Sequence, residues 1–261
     1  MQYCYRMLSS IEILILSAIQ GVSEFLPVSS AAHLVLISKY YAFNNQNLLI
    51  DICLHLGSLL AIITYFGKEL LNYLKDKKFL IKILLATIPI VSVGYFLYQT
   101  GWIEHLRSLE VIAWMTLIFG ILLYLSDQRK INSNIENDFT NKTAIIFGLY
   151  QVLALIPGVS RAGITITSGR MLGFNRYDSA KISFLLAIPA LTAASFLGLY
   201  NVYKAESAAL NFLAIIAVIF SFILSYFTIA LFLNFIKKFS LKIFVVYRIV
   251  LSIVLLSIVY L

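Results

Sequence analysis

Gln20-Gly-Val-Ser-Glu-Phe-Leu-Pro-Val-Ser-Ser-Ala-Ala-His33 breaks into an otherwise apolar sequence with a carboxylate, an imidazole, three hydroxyls and a proline. A second interruption, Gln151-Val-Leu-Ala-Leu-Ile-Pro-Gly-Val-Ser-Arg-Ala-Gly163, adds a guanidinium, a further serine and another proline. The chain around them is 61% hydrophobic, with a mean hydropathy of +0.92. Ionisable groups at membrane depth are unfavourable and mark functional sites. Non-helical backbone survives at that depth only where it lines protein or a water-filled cavity. The two stretches therefore predict an all-α polytopic membrane protein with a site built from two broken, re-entrant segments. Their combined groups are the inventory of a site that handles phosphate.

Outward from these stretches, a spanning helix needs about 20 apolar residues. Six runs qualify, at residues 50–66, 79–99, 109–126, 179–201, 208–236 and 241–261. Four shorter apolar pieces, 10–19, 28–40, 143–156 and 163–172, flank the polar stretches and pair into two re-entrant helical hairpins. Pro27 and Pro157 break the hairpins near their tips, since proline cannot continue a helix interior. The chain reads as one integral membrane domain, 1–261, with halves 1–126 and 143–261 joined by a polar, cytoplasmic linker, 127–142.

The hydrophilic stretches are too short to build a soluble core. The net charge of +8 lies mostly in short loops, which fits cytoplasmic retention and anionic lipid, and no nucleic-acid partner is expected. Residues 66–82, with Lys68, Lys75, Lys77, Lys78 and Lys82, and residues 236–242, with Lys237, Lys238 and Lys242, are read as cytoplasmic. Residues 101–108 and 201–207, with Arg107 and Lys204, are read as external. Cys4 and Cys53 have no metal or redox spacing. The first apolar stretch runs straight into Gln20–His33, so it is not read as a cleaved signal peptide.

An internal repeat underlies this order. Val28-Ser29 aligns with Val159-Ser160 at an offset of 131 (159 minus 28), and residues 52–61 resemble residues 182–191 at an offset of 130 (182 minus 52). Each half is one hairpin plus three spans, and an odd number of crossings turns the second half upside down. Inverted repeats of this kind place their site near mid-membrane, where the broken elements meet.

In the second stretch, Gly158 lets the backbone approach a ligand while the following helix points N–H groups at it, an arrangement that favours an anion. Arg161 adds a planar fork matched to phosphate oxygens. The plainer reading, a cap and an arginine paired to a structural acid, conflicts with how rarely lipid tolerates such an arginine. The first stretch brings Glu24, Ser29, Ser30 and His33. If residues 28–40 are helical, His33 shares a face with both serines. A hydroxyl beside an imidazole or carboxylate is the minimal arrangement for nucleophilic catalysis. By themselves the serines would read as caps and His33 as a core histidine, but Glu24 and the facing arginine argue for a site. His55 is read as a packing residue, Asp51 and Asp178 as caps or anchors, and Arg170 and Arg176 as topology determinants. Arg248 lies well inside the last span and is read as facing the site or pairing with an acid.

These motifs resemble the undecaprenyl-pyrophosphate phosphatases of the bacitracin-resistance type, over essentially the whole chain. The matching residues are Glu24-Phe-Leu-Pro-Val-Ser-Ser30 with His33, Leu56-Gly-Ser58, Pro157-Gly-Val-Ser-Arg161 with Gly163 and Thr165, Phe184-Leu-Leu-Ala-Ile-Pro189, and Tyr247-Arg248. The resemblance implies that Glu24, His33 and Arg161 are essential and that Ser30 is the nucleophile. It also implies that Ser160 and Thr165 touch phosphate and that Arg248 is in or near the site. Gln20 stands where the family usually places a first acid, so a divalent cation, Mg²⁺ or Ca²⁺, would rest on Glu24 and the Gln20 carbonyl. Ala32 and Ala162 replace a usual glycine and serine without removing a group assigned to catalysis.

The activity this implies is hydrolysis of undecaprenyl diphosphate to undecaprenyl phosphate and inorganic phosphate, which recycles the lipid carrier of peptidoglycan synthesis and confers bacitracin resistance. The expected setting is the bacterial inner membrane, with access from the external side. The partners are the bilayer, the polyprenyl diphosphate and at most a second copy of the chain. Ser30 would attack the terminal phosphorus, with Glu24 or His33 as base, Arg161 stabilising the phosphoryl charge, and Ser29, Gly158, Ser160, Thr165 and Arg248 around the phosphate. Attack by water activated by Glu24 is the alternative. A transporter or lipid flippase is the rival class, because inverted repeats with broken helices are also a transporter signature.

Overall fold

The computed structural model describes residues 10–40, 48–102, 106–204 and 212–261. Cys4 and parts of the two segments read as external lie outside these residues. The described residues are almost wholly helical, and their only extended pairing is an isolated bridge between Ser133 and Phe174. The first hairpin is α1 (Ser10–Ser23) and α2 (Ser30–Tyr40); the second is α8 (Asn141–Val152), a 3₁₀ turn (Leu153–Leu155) and α9 (Arg161–Met171). Between and after them run α3 (Leu48–Tyr65), α4 (Gly67–Lys75), α5 (Lys77–Thr100), α6 (Leu109–Asp127) and α7 (Ile135–Asp138), then α10 (Arg176–Lys204), α11 (Phe212–Lys238) and α12 (Lys242–Tyr260).

Among the described residues, α5, α6, α10, α11 and α12 are long and apolar enough to cross a membrane. Taking α3 and α4 as one broken span brings the number to six. The stretch read as a cytoplasmic loop after residue 66 is mostly helical: the chain bends by 78° between α3 and α4. α4 buries none of its residues, and its exposed Leu71 and Leu74 share a short helix with Lys68, Glu69 and Lys75. That composition suits a helix lying in the interface plane.

Both hairpins turn by the same local device. Ser29 (φ 73°) and Ser160 (φ 71°) are the only described non-glycine residues in the left-handed region, an uncommon conformation that costs roughly 1–3 kcal/mol. Each then caps the helix it precedes: Ser29 Oγ accepts from the Ala32 amide at 3.4 Å, and Ser160 Oγ from the Gly163 amide at 3.2 Å. The cap starts α9 at Arg161, two residues earlier than apolarity alone suggested.

α3 and α11 pack so closely that a Cβ on Gly57 would stand 2.4 Å from the Val218 carbonyl oxygen. Ser58 Oγ lies 3.2 Å from Ser221 Oγ and 2.9 Å from Ser225 Oγ, and Ser221 Oγ donates to the Leu54 carbonyl at 2.7 Å. Small residues and interhelical hydrogen bonds are what joins helices when lipid competes with apolar side chains. Phe25, from the first hairpin tip, packs edge-on against Phe184 of α10, with ring centroids 5.2 Å apart.

At the base of the second hairpin, Arg170 and Arg176 do more than set topology. Arg176 makes a forked pair with Asp127, Nε to Oδ1 at 2.7 Å and Nη2 to Oδ2 at 3.1 Å. Arg170 is buried and donates to the carbonyls of Phe174, Asp127 and Arg129. Asp127 also accepts from the Leu241 amide at 3.2 Å, tying α6, α9, α10 and the start of α12. The linker read as polar loop docks here too, with Phe139 buried between Phe79 and Phe147. Asp178 anchors as expected, accepting from Asn175 and the Ile135 amide. Removing one partner of a buried charge cluster leaves the others uncompensated. Asp127→Ala should therefore lose about 3–5 kcal/mol in detergent unfolding measurements, against about 0.5 kcal/mol or less for Glu136→Ala at an exposed position.

Candidate active site

Glu24 follows α1 directly and is buried, so its carboxylate must be satisfied from within the protein. Oε1 accepts from Arg161 Nη2 at 2.9 Å, and Oε2 from Gln20 Nε2 at 2.9 Å and Ser30 Oγ at 3.1 Å. Three residues singled out in the sequence, Glu24, Ser30 and Arg161, are thus in contact. Arg161 opens α9 and Ser30 opens α2, so the first turns of two helices flank the pair. The other arm of Arg161, Nη1, donates to the Ser183 carbonyl at 3.3 Å, and its guanidinium lies 5.9 Å from the Phe25 ring centroid.

His33 lies on the face of Ser29, as its spacing suggests, but neither ring nitrogen is bonded to a serine hydroxyl. Its Nδ1 lies 2.7 Å from the Ser29 carbonyl oxygen, which can only accept, so Nδ1 carries the proton. Nε2 is met by the Tyr247 hydroxyl, which therefore donates, and the two rings stack 9° from parallel with centroids 5.6 Å apart. The carboxylate that touches Ser30 is that of Glu24, and His33 sits one turn further along α2.

The remaining predicted residues form the support of this centre. Ser29 and Ser160 spend their hydroxyls as caps. Thr165 Oγ1 donates to the Arg161 carbonyl at 2.8 Å and lies 2.6 Å from Ser183 Oγ. A Cβ on Gly158 (φ 95°) would stand 2.5 Å from the Ile112 carbonyl oxygen, so the glycine serves the close approach of the tip to α6. Arg248 pairs with no acid among the described residues and is fully buried, sending Nε to the Thr116 carbonyl, Nη1 to Pro27 and Val159, and Nη2 to Met115 and Gly158. One guanidinium thereby holds both hairpin tips against α6.

His55, read as packing, belongs to the centre. Its Nδ1 accepts from Gln20 Nε2 at 2.8 Å and lies 3.9 Å from Glu24 Oε2. The signal for it was an imidazole inside an apolar span. Among the described residues no cluster of three or more His, Cys, Asp and Glu side chains could hold a metal ion. Gln20 Oε1, however, is buried with no hydrogen-bond partner among the described residues. With Glu24 it supplies hard oxygen donors, and Mg²⁺ typically takes one or two carboxylates with the rest of its shell from substrate phosphate and water. The donors fit a cation that arrives with a phosphate ligand once the Gln20 amide, whose nitrogen faces Glu24 and His55, turns its oxygen to Glu24.

Residues 13–254 match the family model described as bacitracin resistance protein BacA. A protein named undecaprenyl-diphosphatase from Pelagibacter ubique is 53% identical over 251 residues, 96% of this chain and 98% of the relative. Proteins of the same name from Alteromonas mediterranea (40% over 259 residues, 94% and 97%) and Ruegeria sp. (37% over 264 residues, 96% and 98%) align over nearly their whole lengths too. The geometry makes Arg161 the test of the centre: Arg161→Lys keeps the charge but cannot reach Glu24, the Ser183 carbonyl and an incoming anion together. It should lower turnover at least about a hundredfold, roughly 2.7 kcal/mol of barrier, measured on purified protein.

Proposed function

This chain belongs to the bacitracin resistance protein BacA family, and we propose on that premise that it is an undecaprenyl-diphosphatase of the bacterial inner membrane. It removes the terminal phosphate of undecaprenyl diphosphate, giving undecaprenyl phosphate and inorganic phosphate. Recycling of the carrier for cell-wall synthesis follows, and with it bacitracin resistance. The observation that carries this reading is the Ser30–Glu24–Arg161 contact, with Ser30 Oγ 3.1 Å and Arg161 Nη2 2.9 Å from the same carboxylate.

The terminal phosphate enters between the first turns of α2 and α9 and draws Arg161 away from Glu24. Relieved of its counter-ion, Glu24 accepts the Ser30 proton as Ser30 Oγ attacks phosphorus. The new Oγ–P bond forms while the bridging P–O bond breaks, and its electron pair leaves on the lipid phosphate. Arg161 and the helix amides stabilise the charge on the equatorial oxygens. Water then cleaves the phosphoserine before the lipid phosphate departs: His33 Nε2 accepts the water proton once Tyr247 releases it, and Glu24 returns its proton to Ser30 Oγ as the Oγ–P bond breaks. A Mg²⁺ or Ca²⁺ ion held by Glu24 and Gln20 would supply further neutralisation of the diphosphate charge.

The two halves are inverted in the membrane on this reading, with the site open to the external face and residues 75–78 inside. A cysteine placed between Lys75 and Lys78 should react with an impermeant thiol reagent only after the inner face is opened; labelling of intact cells would reverse the orientation.

The chemistry is tested by turnover and substrate affinity of purified Ser30→Ala, Ser29→Ala and Glu24→Gln. Ser30→Ala and Glu24→Gln should stop turnover while the diphosphate still binds; Ser29→Ala, losing only a cap, should be milder. If Ser30→Ala keeps more than roughly a tenth of wild-type turnover, a barrier change under about 1.4 kcal/mol, water is the nucleophile instead.

A further inference from the structure

An apolar groove of about 480 Å³ runs between α1 and α12, walled by Ile19, Val22, Leu26, Ile243 and Phe244. Its polar features are Ser23, whose hydroxyl is spent on the Ile19 carbonyl, and the His33–Tyr247 pair. The groove reaches His33, which lies one turn after Ser30 on α2. A chain that is apolar along its length and carries a diphosphate at one end matches this layout.

The His33–Tyr247 pair in the groove wall also controls a proton acceptor. A neutral imidazole has one lone pair. Nδ1 of His33 is committed as donor to the Ser29 carbonyl, and Nε2 is capped by the Tyr247 hydroxyl. Held this way, His33 can accept no further proton. Tyr247 is 43% exposed, so its ring has room to move, and it is also a wall of the groove.

We propose that Tyr247 is a specificity-determining positioning residue that couples the substrate's tail to His33: the first isoprene units in the groove displace the Tyr247 ring, and the displaced hydroxyl uncaps His33 Nε2. The inference rests on the reading of the site as a polyprenyl-diphosphate phosphatase. Binding energy from the tail is thereby spent at the reacting centre, so a truncated substrate loses turnover as well as affinity. Adjacent Arg248 fixes the backbone of α12 against both hairpin tips, which leaves the side chain of Tyr247 as the part that moves.

The test is kcat and KM of the detergent-purified wild type and Tyr247→Phe on undecaprenyl diphosphate and on farnesyl diphosphate. Phenylalanine keeps the stacked ring and the groove wall and removes only the cap. For the wild type, kcat should be at least about tenfold higher on the long substrate; in Tyr247→Phe that ratio should fall to about threefold or less, because kcat on the short substrate rises. A wild-type ratio near one, a ratio that Tyr247→Phe preserves, or equal changes on both substrates overturns the coupling while leaving the phosphatase reading intact. A wild type that cleaves neither substrate overturns both.

Discussion

Glu24 and Arg161 come from opposite hairpins, and their 2.9 Å contact is the constraint around which the molecule is organised. Neither charge could be left unpaired in an apolar interior. Satisfying them requires two chain breaks at one depth, each needing a turn, a cap and a way to absorb its loose carbonyls. Ser29 and Ser160 supply the turns and caps. Arg248 absorbs carbonyls from both tips in a single fork. The Asp127–Arg170–Arg176 cluster then fixes the base of the second hairpin, so the tip is held from below as well as from behind.

What could be read from the sequence followed from cost. Spans were legible because apolar length is close to sufficient for crossing a bilayer. The meeting of Glu24, Ser30 and Arg161 is legible because polar groups in an apolar chain need partners. Whether a given buried polar group touches ligand or holds up its neighbours depends on where its hydrogen bonds go, and spacing does not carry that. Arg248 was rightly read as deep, but its donors are all turned to backbone carbonyls. His33 does lie on the face of Ser29, yet its partners are that residue's carbonyl and a tyrosine 214 positions away. His55 reached the centre through Gln20, a contact between helices that no local pattern announces. The bend after α3 is not legible for a different reason: charge density marks a membrane boundary equally well whether the backbone there is loop or interfacial helix.

The same arrangement separates catalysis from carriage. An anion site needs Arg161 and helix N-termini, and nothing more. On the proposed mechanism, a carboxylate in contact with both a helix-opening hydroxyl and the arginine adds a base to a nucleophile, and couples base strength to anion binding through the shared guanidinium. On this account an empty site holds its own base in check. Arrival of the phosphate supplies the competing anion that frees it.

That distinction is decided most directly by following undecaprenyl diphosphate with the purified wild-type protein in detergent, measuring bound lipid and inorganic phosphate in the same sample. The account predicts catalytic release of one inorganic phosphate for each diphosphate consumed, with undecaprenyl phosphate as the lipid product. Tight binding of the intact diphosphate without phosphate release would contradict it and make the hairpins a lipid-carrying site.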